Sequence, residues 1–560
     1  MGNGSSSFPS LSPSSRLSKK LKINNHFRLP SPLPTFPPGG EFASGSIDLG
    51  GLRVCQLSTL KKVWATYEGG YDNLGATFFE PASMPQGYFM LGSYAQPNSH
   101  PLFGWVLAAK EENSDNGILA EPLDYNLVWS SESLKIRQDG YGYFWLPVAP
   151  DGYKAVGLVV TTTSEKPSLG KIRCVRIDFT EECEHDLWIW GQGRDIIDPN
   201  GYNIYGLRPS VRGTQAVGVP VGTFVTQKGS DANSLPSYCL KNNSQSRSNS
   251  MPNLAQIRKL VDAYSPWIYN HPDEEFLPSS VKWLFENGAL LHQRGDDSNP
   301  TRVDPTGSNL PQGGSNDGAY WLDLPEDEKA KDIVKKGDLL TSEAYMHVKP
   351  MFGGTFTDIA IWVFYPFNGP ARAKVGIINV PLGKIGQHIG DWEHITMRIS
   401  NFDGMLRNVY MSQHSNGTWI DASQLEYRNG NKPVTYASLH GHAIYPKPGL
   451  VMQGNDLIGI RNDTAKSKMV MDTGLRYTIV SAGYLGTDTI VEPPWLNYYR
   501  KWGPKISYDL DEELKRIEKQ LPGNLKPAFE KFVRSLPDEV LGEDGPTGPK
   551  VKRSWDGDEA

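Results

Sequence analysis

Between Gly386 and Arg398 the chain reads Gly-Gln-His-Ile-Gly-Asp-Trp-Glu-His-Ile-Thr-Met-Arg, which gathers His388, Asp391, Glu393 and His394 within seven residues. The run from Trp392 to Ile399 has the pattern of a strand. Alternation along it puts Asp391 and Glu393 on one face and Trp392 and His394 on the other. Two carboxylates that close repel each other, so the pair needs a cation, a shared proton or full solvation. His414, His440 and His442 follow downstream, so five of the eleven histidines fall in one region. Imidazole mixed with carboxylate suits a divalent cation: calcium, magnesium or manganese where oxygen ligands dominate, zinc where histidines do. His440 and His442 share a face if the residues from Leu439 to Ile444 form a strand, and with His394 they could then serve a metal-dependent hydrolase as acid or base. Two plainer readings stand beside these: a solvated polar rim with Trp392 in the core, and a polar turn at His-Gly-His.

The elements that must position these groups can be read outward from them. Strands are expected at 344–349, 358–367, 393–399 and 409–414, with further short strands toward Ala482. Leu254, Ile257, Leu260 and Val261 have helical spacing, and the helix ends at Tyr264-Ser265-Pro266-Trp267. Residues 254–505 therefore read as a β-sandwich-like domain that carries the His/Asp/Glu cluster. Leu514, Ile517 and Leu521, then Phe529, Phe532, Val533 and Leu536, mark two amphipathic helices in 506–560, split at Pro522-Gly523 and followed by a polar tail.

Upstream, residues 46–239 read as a β-rich module built from a repeat. Pro85-Gln86-Gly87-Tyr88 with Gly92, Pro150-Asp151-Gly152-Tyr153 with Gly157, and Pro199-Asn200-Gly201-Tyr202 with Gly206 share one pattern. A Pro-x-Gly turn feeding a short strand, reused at intervals, builds a barrel, prism or propeller-like module. Residues 240–253 turn to Asn and Ser and read as a linker. Within it, Arg247-Ser248-Asn249-Ser250-Met251-Pro252 is an arrangement that a 14-3-3 protein accepts once Ser250 is phosphorylated. An unregulated, solvated linker is the alternative. The expected fold class is mainly β with peripheral helices (α+β).

A chain of 560 residues is too long for one ordinary core. Its net charge of −6 gives no reason to expect nucleic acid. Cys55, Cys174, Cys183 and Cys239 lack metal-type spacing and fit a reducing compartment better than a disulfide framework. Apolar runs such as Ile359 to Phe364 fall far short of the roughly 20 residues needed to cross a bilayer. Residues 1–45 read as a disordered, basic, Pro/Ser-rich leader. Met1-Gly2-Asn3-Gly4-Ser5-Ser6 fits N-myristoylation at Gly2. Arg16, Lys19, Lys20, Lys22 and Arg28 form a basic cluster with no acid before Glu41, and an acyl chain plus such a cluster can hold an anionic membrane surface. The expected location is cytoplasmic, peripheral to membranes. A plastid transit peptide, or an inert tail, fits the same Ser-rich, acid-free segment.

Longer segments carry a family resemblance. Tyr269 to Val281 (YNHPDEEFLPSSV), Phe364 to Pro370 (FYPFNGP), Gly390 to His394 (GDWEH), Ser438 to Gly449 (SLHGHAIYPKPG) and Gly542 to Lys550 (GEDGPTGPK) resemble the plant proteins called vacuolar protein sorting-associated protein 62, or domain of unknown function 946. That family's name implies a role in vacuolar targeting. The N-terminal repeats are similar to the adaptor-binding region of vacuolar protein sorting 13, a lipid-transfer protein. A more distant likeness is to the Nep-like proteins, whose GHRHDWE signature implies a cation held at a glycolipid-headgroup site on a β-sandwich. Aligned on Asp-Trp-Glu, His388, Asp391 and Glu393 match that signature, Gly390 replaces its second His, and Ser412-Gln413-His414 resembles a downstream Ser-x-His. One acidic ligand has no counterpart before His388. The resemblance thus implies a metal site at His388, Asp391, Glu393 and His414; the residues themselves, not the resemblance, offer His394, His440 and His442 as an additional polar site.

Three functions follow from this reading. The first is a non-enzymatic, peripheral membrane protein in endomembrane or vacuolar sorting that binds a lipid or glycan headgroup through a divalent cation. The others are a metal-dependent hydrolase and a scaffold regulated through Ser250. Hydrolysis needs convergent groups around an activated water, and no spacing here demonstrates convergence, so binding ranks above catalysis.

Overall fold

The computed structural model describes residues 25–70, 74–113, 116–191, 202–228, 235, 237–296, 298–414, 416–455, 457–504, 508–536, 538–541 and 545–559. The fold is mainly β with peripheral helices. Ten strands position the candidate site: β1 (Ala344–Met351), β2 (Phe356–Asn368), β3 (Arg372–Val375), β4 (Ile378–Pro381), β5 (His388–Ser400), β6 (Leu406–Gln413), β7 (Asn416–Asp421), β8 (Gly449–Gly454), β9 (Ile458–Thr464) and β10 (Tyr477–Ser481). The main sheet has the order β7-β6-β5-β2-β1-β10, and β3, β4, β8 and β9 form a smaller sheet in the order β4-β3-β9-β8.

The main sheet is covered on both sides, which is why β2 is buried along its whole length. One face packs Val348, Ile361, Val363, Ile395 and Met397 against the helix Leu254–Tyr264 and a second sheet that includes Trp267–Tyr269 and Lys432–Ala437. The opposite face is aromatic. There Trp392 lies 5.6 Å from Trp495 and 5.1 Å from Trp502, and Phe364 lies 5.3 Å from Trp502. The two amphipathic helices, α1 (Leu510–Glu518) and α2 (Lys526–Arg534), lay Leu514, Ile517, Phe529 and Val533 on the smaller sheet, against Ala373, Val375 and Ile460.

The polar tail beyond them does not trail into solvent. Trp555 stacks on His347 at 3.8 Å, and Lys349 donates to the carbonyls of Ser554 (2.6 Å) and Gly557 (3.1 Å). Arg398 donates two hydrogen bonds to Asp358, at 2.9 and 2.7 Å, and a third to Asp558 at 2.5 Å. Glu559 accepts from the Thr396 hydroxyl at 2.9 Å and lies 3.2 Å from His394 Nε2, close enough for an ion pair though poorly aligned for a hydrogen bond. Burial opposes ionisation of Glu559, but His394, Lys349 and Thr396 hold its carboxyl down at about 2.

The N-terminal module is a three-unit β structure. Each unit is a hairpin extended by a third strand: Leu60–Ala65, Ala76–Pro81 and Tyr94–Pro97; then Asp124–Ser130, Tyr143–Val148 and Val159–Thr161; then Thr180–Gly191, Tyr202–Pro209 and Phe224–Lys228. Trp64, Trp129 and Trp190 meet in the middle with ring centroids 5.9 to 6.4 Å apart. The first two Pro-x-Gly-Tyr motifs make matching turns, with Tyr88 N–H donating to Pro85 O and Tyr153 N–H to Pro150 O. Their following glycines pack face to face: a Cβ on Gly92 would lie 2.9 Å from Gly157 Cα and 2.7 Å from Thr223 Cγ2. Gly92, Gly157 and Gly222 recur every 65 residues, so the third structural unit aligns at Gly222 and not at Gly206. Pro199 to Gly201 lie outside the described residues.

Two boundary segments differ from expectation. From Asn25 onward the leader is packed, because aromatic side chains anchor an otherwise extended, Pro-rich chain. Phe27 lies 5.0 Å from Phe103, and Phe36 meets Phe42 edge-on at 5.1 Å. Gly2, Arg16, Lys19, Lys20 and Lys22 are outside the described residues. The 240–253 segment is a junction, not a solvated linker. Asn242 donates to Gly353 O at 2.6 Å, and Ser250, 2% exposed, donates to Gly354 O at 2.8 Å. A phosphate on Ser250, and any 14-3-3 protein reading it, requires that junction to open.

The buried Arg398 cluster yields a test. Arg398→Met leaves Asp358 and Asp558 without their counter-charge, and urea denaturation should show a loss of about 3–5 kcal/mol. A loss under about 1 kcal/mol would mean that water already screens the cluster.

Candidate functional site

Register fixes which side chains meet. Along the β2–β5 ladder Asp391 lies opposite Tyr365 and Glu393 opposite Val363, whereas Trp392 and His394 lie opposite Phe364 and Trp362 on the aromatic face. Asp391 and Glu393 therefore share a face and His394 is turned from them, stacked on Trp362 at 4.3 Å. The strand begins at His388, earlier than its apolar run suggests. Gly390 interrupts it with φ +70°, where a Cβ would lie 2.9 Å from the Trp502 carbonyl oxygen. The Trp502 backbone thus occupies the space that a side chain at this position would need. The turn at Gly390 also leaves His388 close enough to feel the Asp391 charge, with its Nδ1 2.7 Å from Gly390 O.

The acidic pair is neutralised from two other segments. His442 Nδ1 lies 3.0 Å from Asp391 Oδ2, its Nε2 lies 3.1 Å from Phe276 O, and its ring stacks on Tyr365 at 3.8 Å. Both ring nitrogens are engaged, so neither is left free. Burial pushes the Asp391 carboxyl up, but His442, His388 and Lys552 together hold it below the usual carboxylate range. For Glu393, burial and then the Asp391 charge push the carboxyl well above that range, against the Ser412 hydroxyl that donates to it. The pair is relieved from both sides: an imidazole stands against Asp391, and the Glu393 carboxyl is pushed toward its neutral form.

Glu274 is the member that sequence reasoning missed. It is 6% exposed, accepts from the His440 N–H at 2.6 Å and the Phe276 N–H at 2.9 Å, and lies 3.9 Å from His442 Nε2. Tyr365 and Tyr445 were missed as well. Both are buried, and among the described residues neither hydroxyl has a hydrogen-bond partner. Burial, with Glu393, Asp391 and Glu274 around it, raises the Tyr365 phenol well above its ordinary value. The usable signal was the family resemblance itself, since Glu274 and Tyr365 sit inside two of its motifs, YNHPDEEFLPSSV and FYPFNGP.

The remaining histidines converge in part. His440-Gly441-His442 is a polar turn and not a strand, with φ of +67° at His440 and +54° at His442. His442 alone reaches Asp391, while His440 Nδ1 lies 3.2 Å from Pro370 O. His414, also left-handed at φ +59°, lies 3.0 Å from Asn462 Oδ1, and its ring packs on Gly441, where a Cβ would lie 3.3 Å from Cε1. Three bulky residues in this region cost of order 1–3 kcal/mol each, strain of the kind that collects at functional sites. Among the described residues, no three His, Cys, Asp or Glu side chains are gathered as a ready metal-ligand set. The oxygen-rich donors nonetheless suit a hard cation better than zinc.

The family can now be named. A profile described as vacuolar protein sorting-associated protein 62 matches residues 23–559. The chain belongs to that family. No curated protein matches it. Among solved structures, GNIP1Aa from Chromobacterium piscinae is 18% identical with a TM-score of 0.26, over 36% of this chain and 40% of its own. A structure described as "NLPPya in complex with glucosamine" is 14% identical with a TM-score of 0.19, over 35% and 70%. Necrosis and Ethylene inducing Protein 2, from the causal agent of cocoa's Witches Broom disease, is 14% identical with a TM-score of 0.15, over 34% and 77%. The chain thus spans less than half the length of the first of these.

The raised Glu393 carboxyl has a testable sign. The folded chain holds this proton above pH 4.5, where the unfolded chain releases it, so the associated stability is full below that value and is lost as pH rises. Glu393→Gln keeps the shape and removes the titration. Its melting temperature should gain on the parent's as pH is raised from about 5 to about 8. A difference that stays constant across that range would show that Glu393 ionises normally.

Proposed function

We propose that this vacuolar protein sorting-associated protein 62 family member is a non-enzymatic, peripheral membrane protein that binds a lipid or glycan headgroup, through a divalent cation, at the Asp391/Glu393 corner. The observation that carries the reading is the buried, oxygen-rich face on which Asp391, Glu393 and Glu274 lie near the unpartnered hydroxyls of Tyr365 and Tyr445. Buried polar atoms ordinarily have partners, and a hard cation with its bound oxygens is a partner for all of these. His388 and His414 flank the corner as the further candidate ligands. Calcium, magnesium or manganese fits this donor set. Binding is favoured over hydrolysis because His442, the imidazole at the acids, has both nitrogens engaged and is not free to shuttle a proton. Among the described residues no helix is long and apolar enough to cross a membrane. Attachment at the cytoplasmic face would then rest on surface contacts, with acylation at Gly2 and the basic leader as one contribution.

Protonation of Glu393 makes the cation reading sensitive to pH. A cation must displace that proton, so affinity should rise with pH and binding should release a proton. Calorimetry with calcium, magnesium or manganese in two buffers of different ionisation enthalpy should show tighter binding at about pH 8 than at about pH 5.5. Asp391→Asn with Glu393→Gln should abolish it while leaving the circular dichroism spectrum intact. Metal content that the double substitution does not change sinks the idea.

A further inference from the structure

Two β-hairpins of the smaller sheet end side by side, and each presents an aliphatic side chain to solvent. Ile377, in the two-residue turn between β3 and β4, is 97% exposed, and Leu457, in the turn between β8 and β9, is 70% exposed. The turns are joined directly, since the Gly376 N–H donates to Leu457 O at 2.6 Å. Gly376 supplies the positive φ that its hairpin requires, and the Asn455 side chain accepts from the N–H groups of Leu457 (3.0 Å) and Ile458 (2.8 Å). Leu525 stands beside them, its Cδ1 3.6 Å from where a Gly376 Cβ would lie.

We infer that these paired tips dock the protein on an anionic phospholipid bilayer. A single exposed aliphatic residue is ordinary, but two on adjoining hairpin ends form a feature with a direction. A protein partner would need a surface of roughly 1,200 Å² or more, which two projecting side chains do not offer. A bilayer needs no complementary shape, and each inserted aliphatic side chain is worth about tenfold or more in partitioning. Lys374 adjoins the first tip in sequence and Lys526 adjoins Leu525. Neither has a carboxylate partner among the described residues, which leaves both charges for lipid headgroups. The tips also project from the candidate site: β9 carries Asn462, which holds His414, and Leu457 lies five residues back along the same chain, roughly 16 Å away. The inference rests on the peripheral-membrane part of the proposed function and not on its cation.

The test uses the full chain, produced without acylation, sedimented with phosphatidylcholine vesicles with or without phosphatidylserine. Asp456, between Asn455 and Leu457 in sequence, is acidic and lies outside the described residues, so both compositions are needed. The parent should bind the serine-lipid vesicles, and Ile377→Asp with Leu457→Asp should weaken that binding about tenfold or more. Leu340→Asp, at a residue 79% exposed elsewhere, should leave it unchanged. Independently, Ile377→Cys carrying an environment-sensitive dye should shift to the blue on those vesicles. Unaltered binding by the double variant, with no shift of the dye, overturns the tips while leaving the membrane reading intact. Failure of the parent to bind either vesicle overturns both.

Discussion

A charge inside a sheet that is covered on both faces has no water to turn to, and this constraint organises the C-terminal half of the molecule. The strand β5 carries acids on one face and His394 and Arg398 on the other. Each is answered from a distant part of the chain: Asp391 by His442, His394 by Glu559, and Arg398 by Asp358 and Asp558. Buried pairs of this kind add little net stability over apolar packing, because desolvation cancels most of the attraction. What they do impose is correspondence. The segment from Ser554 to Glu559 and the His440–His442 turn each find charged partners in one place on the sheet, and a mispaired arrangement would strand an ion in the core.

The acidic corner meets the same constraint with less to spare. It has two adjoining carboxylates, and while His442 and His388 stand against Asp391, the Glu393 carboxyl is pushed toward its neutral form. Among the described residues the hydroxyls of Tyr365 and Tyr445 then remain without partners. His414, His440 and His442 hold left-handed backbone angles around them. A fold selected for stability alone would have little reason to keep protonated acid, orphan phenols and strained histidines together. Their coincidence is what the proposed binding role rests on.

The strands were legible in the sequence because period-two alternation is local, and the split between Asp391/Glu393 and Trp392/His394 followed from it. Glu274 was not legible as a site residue: it arrives from a loop far upstream, and only the His440–His442 turn brings it to the His442 ring, whose other nitrogen meets Asp391. The threefold repeat was read in two of its units and misplaced in the third. What recurs is the packing of Gly92, Gly157 and Thr223 at the centre, and the third unit keeps that packing without the Pro-x-Gly-Tyr motif. The leader and the Asn/Ser segment were read as disordered or solvated from composition. Composition does not register that a few aromatic residues, or one buried serine hydroxyl, are enough to hold an extended chain against a surface.

The same strand that carries the candidate chemistry also joins the two halves of the protein. β5 runs 13 residues, roughly 40 Å, from His388 at the acidic corner to Ser400 at the module junction. At that far end Ser400 donates to Gln56 at 2.9 Å, Arg407 donates to the same side chain at 2.7 Å, and Phe402 packs into the N-terminal core with Val54 and Leu107. Each stretch of β5 therefore answers to a different environment: the acids to the corner, His394 through Arg398 to the C-terminal segment, and Ser400, with Phe402 in the turn beyond it, to the N-terminal module. A strand under three such demands has little freedom to change register, since a one-residue slip would turn every charge to the wrong face at once. That is why the stretch with the most chemistry is also the one whose position the rest of the structure fixes most firmly.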